Sequence, residues 1–399
     1  MRMPIAALLA GLSGDAIAAT ITVTTNSDTI AADGQCSLRE AITAANTDSA
    51  FNGCPAGNGV DEILLGADEY RFEIEGAGED ANASGDLDIR SNLSLRGAGA
   101  DLTRIRGDRE DRVFDVASPA TDVVIEGVTI RNGAGDIGGG ILLGAGVSLL
   151  VKSVSLTGNA TVQGGGIASF GTLDIVDSVF HANDATTGGA VWSGAGSVTS
   201  LRNVTLDSNT ALDSGSAASF NDTASLNNVT ASQNIADSDF DDIGDGAIEV
   251  NATVTISNTI LARNLDLSLG GGGLVSHDCA IQPGGELISL DHNLIGIIGN
   301  ACVLSNPQPG DQAGTPTQPL NPLLQPFDLY GGSVETFLPT AASPVVEAGS
   351  PLMPGSGSPG ACEAGDARGV LRPQGARCDI GAAELDDLIF RDGFDPALP

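Results

Sequence analysis

The densest set of groups able to do chemistry is Asp237-Ser-Asp239-Phe-Asp241-Asp242-Ile-Gly244-Asp245. Alternating carboxylates on a loop are hard oxygen ligands of the kind that hold Ca²⁺. The EF-hand register does not fit. With Asp237 in the first position, the sixth is Asp242 instead of glycine and the twelfth is Ile248. A pair drawn from Asp241, Asp242 and Asp245 could instead serve glycoside hydrolysis, which needs two carboxyls roughly 5–5.5 Å or 6.5–9.5 Å apart. The plainer alternative is a solvated acidic loop.

Other chemistries have thinner support. A polysaccharide lyase needs a basic Arg or Lys together with Ca²⁺ or another group that neutralises the substrate. Lys152 is the only lysine, and Arg131, Arg202 and Arg263 fall near one corner of the repeat described below. Asp207 and Asp266 sit close to this basic stripe. β-Helix galacturonan hydrolases carry Gly-His-Gly and Arg-Ile-Lys beside their aspartates, and neither tripeptide occurs. His181, His277 and His292 belong to no HExxH, and no serine sits in a GxSxG. Gly138-Gly139-Gly140 and Gly164-Gly165-Gly166 lack the helix and lysine of a phosphate loop and read as turns. Trp192 could stack a sugar or simply pack.

The elements that must position these residues come from a repeat. Between 123 and 264, segments such as LLVKSVSLTGNATVQGGGIASFG and LDIVDSVFHANDATTGGAVWSGAG recur. Asn159, Asn183, Asn209, Asn234 and Asn264 mark the period at separations of 24, 26, 25 and 30. A period in the twenties indicates a solenoid. Strands of a few residues between Gly, Asn and Asp turns leave no room for helices. The leucine-rich signature is missing and a propeller blade needs about 40 residues. The reading is therefore an all-β, single-stranded right-handed parallel β-helix. Its 54 glycines suit many tight turns, and its aliphatic content with few aromatics suits a long thin core. The recurring Asn is expected to take the left-handed conformation at each bend and to ladder with its neighbours. That role also accounts for sequons such as Asn228-Val229-Thr230. The one longer coil should carry the aspartate loop as a bulge.

The ends differ from the coils. In CSLREAITAAN (36–46), Leu38, Ala41, Ile42 and Ala45 share a helical face, and Ser37 with Glu40 forms a capping box. This predicts a small helical cap over the first coil. Six cysteines allow 15 connectivities, and their grouping favours Cys36–Cys54, Cys279–Cys302 and Cys362–Cys378. No CxxC motif is present, and disulfides suit an exported protein. Residues 1–18 have the layout of a signal peptide. The expected organisation is then a cap over 19–60, a β-helix over 61–305, a C-terminal end unit over 306–384 and an acidic tail over 385–399.

With these residues on view, the chain resembles known secreted bacterial proteins. CSLREAITAAN, preceded by TITVTTNSD, looks like the CSLREA N-terminal region of β-helix proteins. The stretch from Asn321-Pro322-Leu323 through SPVVEAGS, Cys362, DARGVLRPQG and CDIGAAE resembles the choice-of-anchor Q domain. Phe180-His181-Ala182-Asn183 followed by Gly188-Gly189-Ala190-Val191 resembles repeats of polymorphic outer-membrane proteins. The resemblance implies export, a β-helix and surface attachment or release, with IFRDGFD as a sorting-like tail. It implies no established reaction.

The formal charge of −34 disfavours nucleic acid and anionic membrane surfaces. No segment is apolar enough to span a bilayer. The reading is a secreted or surface-displayed monomer, a non-catalytic adhesion or carbohydrate-contacting scaffold that binds a polysaccharide or cell-surface ligand. The alternative is a Ca²⁺-dependent polysaccharide lyase or glycoside hydrolase.

Overall fold

The computed structural model describes residues 18–239, 245–267, 278–299 and 301–386. The chain winds as a parallel β-helix. Each middle coil passes through four sheets in turn, as in Ser148–Lys152, Ser155–Thr157, Ala160–Gln163 and Ile167–Ser169. The first and second sheets have ten strands each, the third five and the fourth eight. The reason is visible in the inward rows. Ile21, Ile63, Leu95, Ile125, Val151, Ile175, Leu201, Leu226 and Ile256 are successive partners across the first sheet. All are at most 1 % exposed. A one-residue slip would turn this whole row to solvent, which fixes the register.

Each corner has its own device. Ser153, Asp177, Asn203, Asn228 and Asn258 turn the chain from the first sheet to the second with φ of 49–53°. Gly164, Gly188 and Gly215 turn it into the fourth sheet with φ of 67–70°. At the intervening corner the sequence expectation needs correction. The left-handed residue is not the ladder Asn but the one before it: Gly158, Ala182, Ser208, Gln233 and Arg263. Bending and laddering are thus divided between adjacent positions.

The ladder itself is continuous. Asn159, Asn183, Asn209 and Asn234 each donate from Nδ2 to the next Asn Oδ1 at 2.9–3.0 Å. Each Nδ2 also donates to a backbone carbonyl of the preceding coil, as Asn183 does to Leu156 O at 2.9 Å. All five ladder residues are fully buried. The column ends where Asn264 Nδ2 meets Asp278 Oδ1 at 2.9 Å. A polar row is tolerated in the interior because its donors and acceptors are matched.

The cap helix spans Leu38–Thr47 with Ser37 as its N-cap, and both halves of the capping box form. Arg39 is buried. It bonds to Asp28 at 2.7 Å and to the carbonyls of Gly85 and Asp86, stitching the cap to the first coils. The disulfides pair as Cys36–Cys54, Cys279–Cys302 and Cys362–Cys378.

The C-terminal segment lies elsewhere than the sequence suggested. Residues 312–313 add the last strand of the second sheet, and the chain then folds back along the flank of the helix. Its hairpin, Leu324–Asp328 with Thr336–Pro339, packs on the second sheet, where Thr336 Oγ1 lies 2.8 Å from Thr205 Oγ1. Asn203, Asn227 and Asn228 reach Gly365, Ala361 and Gly381. Inside this unit, Arg372 pairs with Glu384 at 2.8 Å and Arg368 with Asp366 at 2.6 Å, all four buried at the side chain. The DARGVLRPQG and CDIGAAE motifs therefore supply a buried ionic clasp. Asp379 lies in it, and burial together with Glu384 raises its carboxyl to about 6.

Candidate functional site

The aspartate loop offers only part of the expected set. Asp241 and Asp242 lie outside the described residues. Asp237 is not a solvent-facing ligand: its side chain is buried and its backbone is left-handed. The tight bend at the loop entrance turns that carboxylate inward. Asp239 is exposed and Asp245 half-buried. Among the described residues these three do not converge as a group of metal ligands.

Carboxylates do converge at a place the sequence reading missed. Asp88 and Asp115 are partners on adjacent coils of the fourth sheet, and Asp80 joins them from the preceding loop. A cation already sits among them. Arg90 contacts Asp80, Asp88 and Asp115 at 3.2, 2.7 and 3.0 Å. Arg112 bridges Asp86 and Asp115. Burial is the main cause that lifts the Asp86 carboxyl to about 8, with Asp111 and Asp88 adding repulsion and Arg112 opposing it. Burial likewise raises Asp88 to about 6. With Asp88 fully covered, this group binds the loop before it to the coils and presents no open catalytic pair. The useful signal was the Asp-Leu-Asp-Ile-Arg run at 86–90, where alternating charges share one strand face.

The basic stripe does not assemble. Lys152 and Arg202 lie on the first sheet, paired with Glu126 at 3.0 Å and Asp174 at 2.6 Å. Arg131 faces outward from the second sheet, and Arg263 is exposed at a corner. The ions on different sheets cannot act on one atom. Asp266 is buried. Trp192 packs edge-on against Phe170 at 5.4 Å between ring centres. His292 is buried beside Asp291, and His277 lies outside the described residues.

His181 has a distinct setting. It follows Thr157 and precedes Asp207 in one outward column of the second sheet. Its Nδ1 lies 2.8 Å from Asp207 Oδ2, and its ring stacks on Phe327 of the hairpin at 4.9 Å. The bond to Asp207 raises the imidazole above its ordinary value, against burial and with help from Glu335. Such a carboxylate-held imidazole can donate or accept a proton near neutral pH.

Two clefts flank the C-terminal segment. One, of about 430 Å³, lies between the second sheet and the hairpin, lined by Arg104, Arg131, Thr157 and Glu335. The other, of about 470 Å³, lies between the first sheet and residues 355–363, lined by Ser200, Ser225, Asn227 and Thr255. The second cleft continues a straight outward column, Val124, Leu150, Asp174, Ser200, Ser225 and Thr255, one residue per coil. At about 4.8 Å per coil the column runs about 24 Å.

No protein-family model matches the chain, and no curated protein matches it. A comparison with solved structures finds the crystal structure of pectate lyase Pel9A, at 14 % identity and a TM-score of 0.42, covering 84 % of this chain and 93 % of that one. A likeness this distant carries no argument about activity. No helix among the described residues is long and apolar enough to cross a membrane. Three disulfides fit a protein that folds in an oxidising compartment.

Proposed function

We propose that this chain is a secreted or surface-displayed β-helix that holds an extended polysaccharide without cleaving it. The observation that carries the reading is the trough on the first sheet. Its residues from Asp174 to Thr255 are short and polar, stand in line along the helix axis, and deepen into the cleft beside residues 355–363. The repeat of the coils is close to the rise of one sugar unit, so equivalent hydroxyls can meet equivalent groups of a polymer. The resemblance to CSLREA and choice-of-anchor Q proteins supports export and display, with the C-terminal residues as a sorting signal.

Affinity electrophoresis against soluble plant and bacterial polysaccharides tests this reading. At least one polymer should retard the protein, and Ser225→Arg, which fills the trough, should abolish the retardation. No retardation across the panel, or an unaffected variant, would sink it.

His181 with Asp207 favours a second, enzymatic reading. Release of reducing sugars from the same panel, with and without Ca²⁺, and its loss in His181→Ala or Asp241→Ala, would replace the first.

A further inference from the structure

We infer that the cleft between the second sheet and the hairpin is a binding site for a sugar bearing a single carboxylate, separate from the trough on the first sheet. The chain carries 17 Lys and Arg against 51 Asp and Glu, and most basic side chains among the described residues are ion-paired. Arg39, Arg90, Arg96, Arg112, Arg202 and Arg372 are all ion-paired. Arg131 makes no ion pair among the described residues, and its Nε is covered without a hydrogen-bond partner. Arg104 donates to the carbonyl of Asp101 at 2.7 Å and to no carboxylate among the described residues. Both line the same cleft.

A covered guanidinium donor with nothing to bond is costly, and an incoming oxyanion would relieve that cost. A guanidinium fork fits a carboxylate with two parallel bonds. The rest of the lining narrows the class. Asp101 and Glu335 also line the cleft and can accept hydrogen bonds from ligand hydroxyls. They would also repel a phosphate dianion or a densely sulfated chain. Ser155 and Thr157 supply hydroxyls from alternate positions on one face of a strand. Two forks, two acceptors and two hydroxyls in about 430 Å³ match a sugar acid better than a purely apolar or polyanionic ligand.

Isothermal titration with a trisaccharide holding one hexuronic-acid unit, its carboxyl-reduced counterpart and a sulfated neutral trisaccharide tests the assignment. The uronate should bind, and the reduced compound about tenfold more weakly or not at all. Arg131→Gln and Arg104→Gln should each bring uronate affinity down to that of the reduced compound, while Ser225→Arg leaves it unchanged. If Arg131→Gln unfolds, Arg131→Lys and Arg104→Gln carry the test. Equal binding of the uronate and its reduced form would overturn the inference. So would preference for the sulfated sugar, unchanged affinity in the arginine variants, or loss only in Ser225→Arg. Failure of the trough reading shows differently, as neutral polysaccharides that Ser225→Arg still retains.

Discussion

Asn234 Nδ2 donates to Asn264 Oδ1 at 2.9 Å across a separation of 30 residues, the same length as the Asn209–Asn234 bond across 25. The coil with five extra residues keeps the ladder spacing. Its excess is taken up after Ala236, between the third and fourth sheets.

This geometry predicts a severe effect for Asn234→Ala. The change leaves the backbone N–H of Asn209 without its acceptor, takes one of the two acceptors of Asn209 Nδ2, and removes the side-chain donor to the Leu206 carbonyl, all buried. At roughly 1–3 kcal/mol per stranded group, the loss should exceed about 3 kcal/mol. A fall in the denaturant midpoint by that equivalent, with an unchanged slope, is the expected reading.

Arg90→Ala should cost about 3–5 kcal/mol at neutral pH, because it leaves Asp88 covered without its cation and Asp115 with Arg112 alone. The loss should shrink as pH falls through about 6 and Asp88 is protonated. Equal destabilisation at pH 5 and pH 8 would show that Arg90 acts by packing alone.

Asp86 sets a pH dependence in the native protein. Its folded value, about 8, lies above its unfolded value of 3.8, so the folded state binds the proton more tightly. Its contribution is present at low pH and is lost as pH rises from about 4 through 8. Asp86→Asn should flatten stability over that window, as read by denaturation at several pH values.

His181 works in the opposite chemical sense with the same direction in pH. Asp207 holds it protonated above its ordinary value of 6.5. The stabilisation is complete below that value and disappears as pH rises through the folded one. Asp207→Asn should lower the His181 midpoint in an NMR titration of the imidazole. A midpoint that does not move would break the assignment of the shift to this bond.

Much of this protein is local and therefore legible. The coil period, the inward aliphatic rows, the capping box at Ser37 and Glu40, and the three disulfide pairings follow from short-range patterns. Even the His181–Asp207 hydrogen bond was within reach, since both occupy the same position of successive repeats. Tertiary structure decided what depends on distant segments. Nothing local in residues 321–386 says that they return along the flank once residues 312–313 have closed the second sheet. That return alone creates both clefts and brings Phe327 and Glu335 to His181. The pairing of Arg90 with Asp115, 25 positions on, likewise needed the register of two early coils of irregular length. Sequence by itself determined the repeating body, because one coil's pattern specifies its own strands and turns. Only the packing of non-repeating segments against that body, through side-chain contacts with no periodic signature, decided where a ligand could sit.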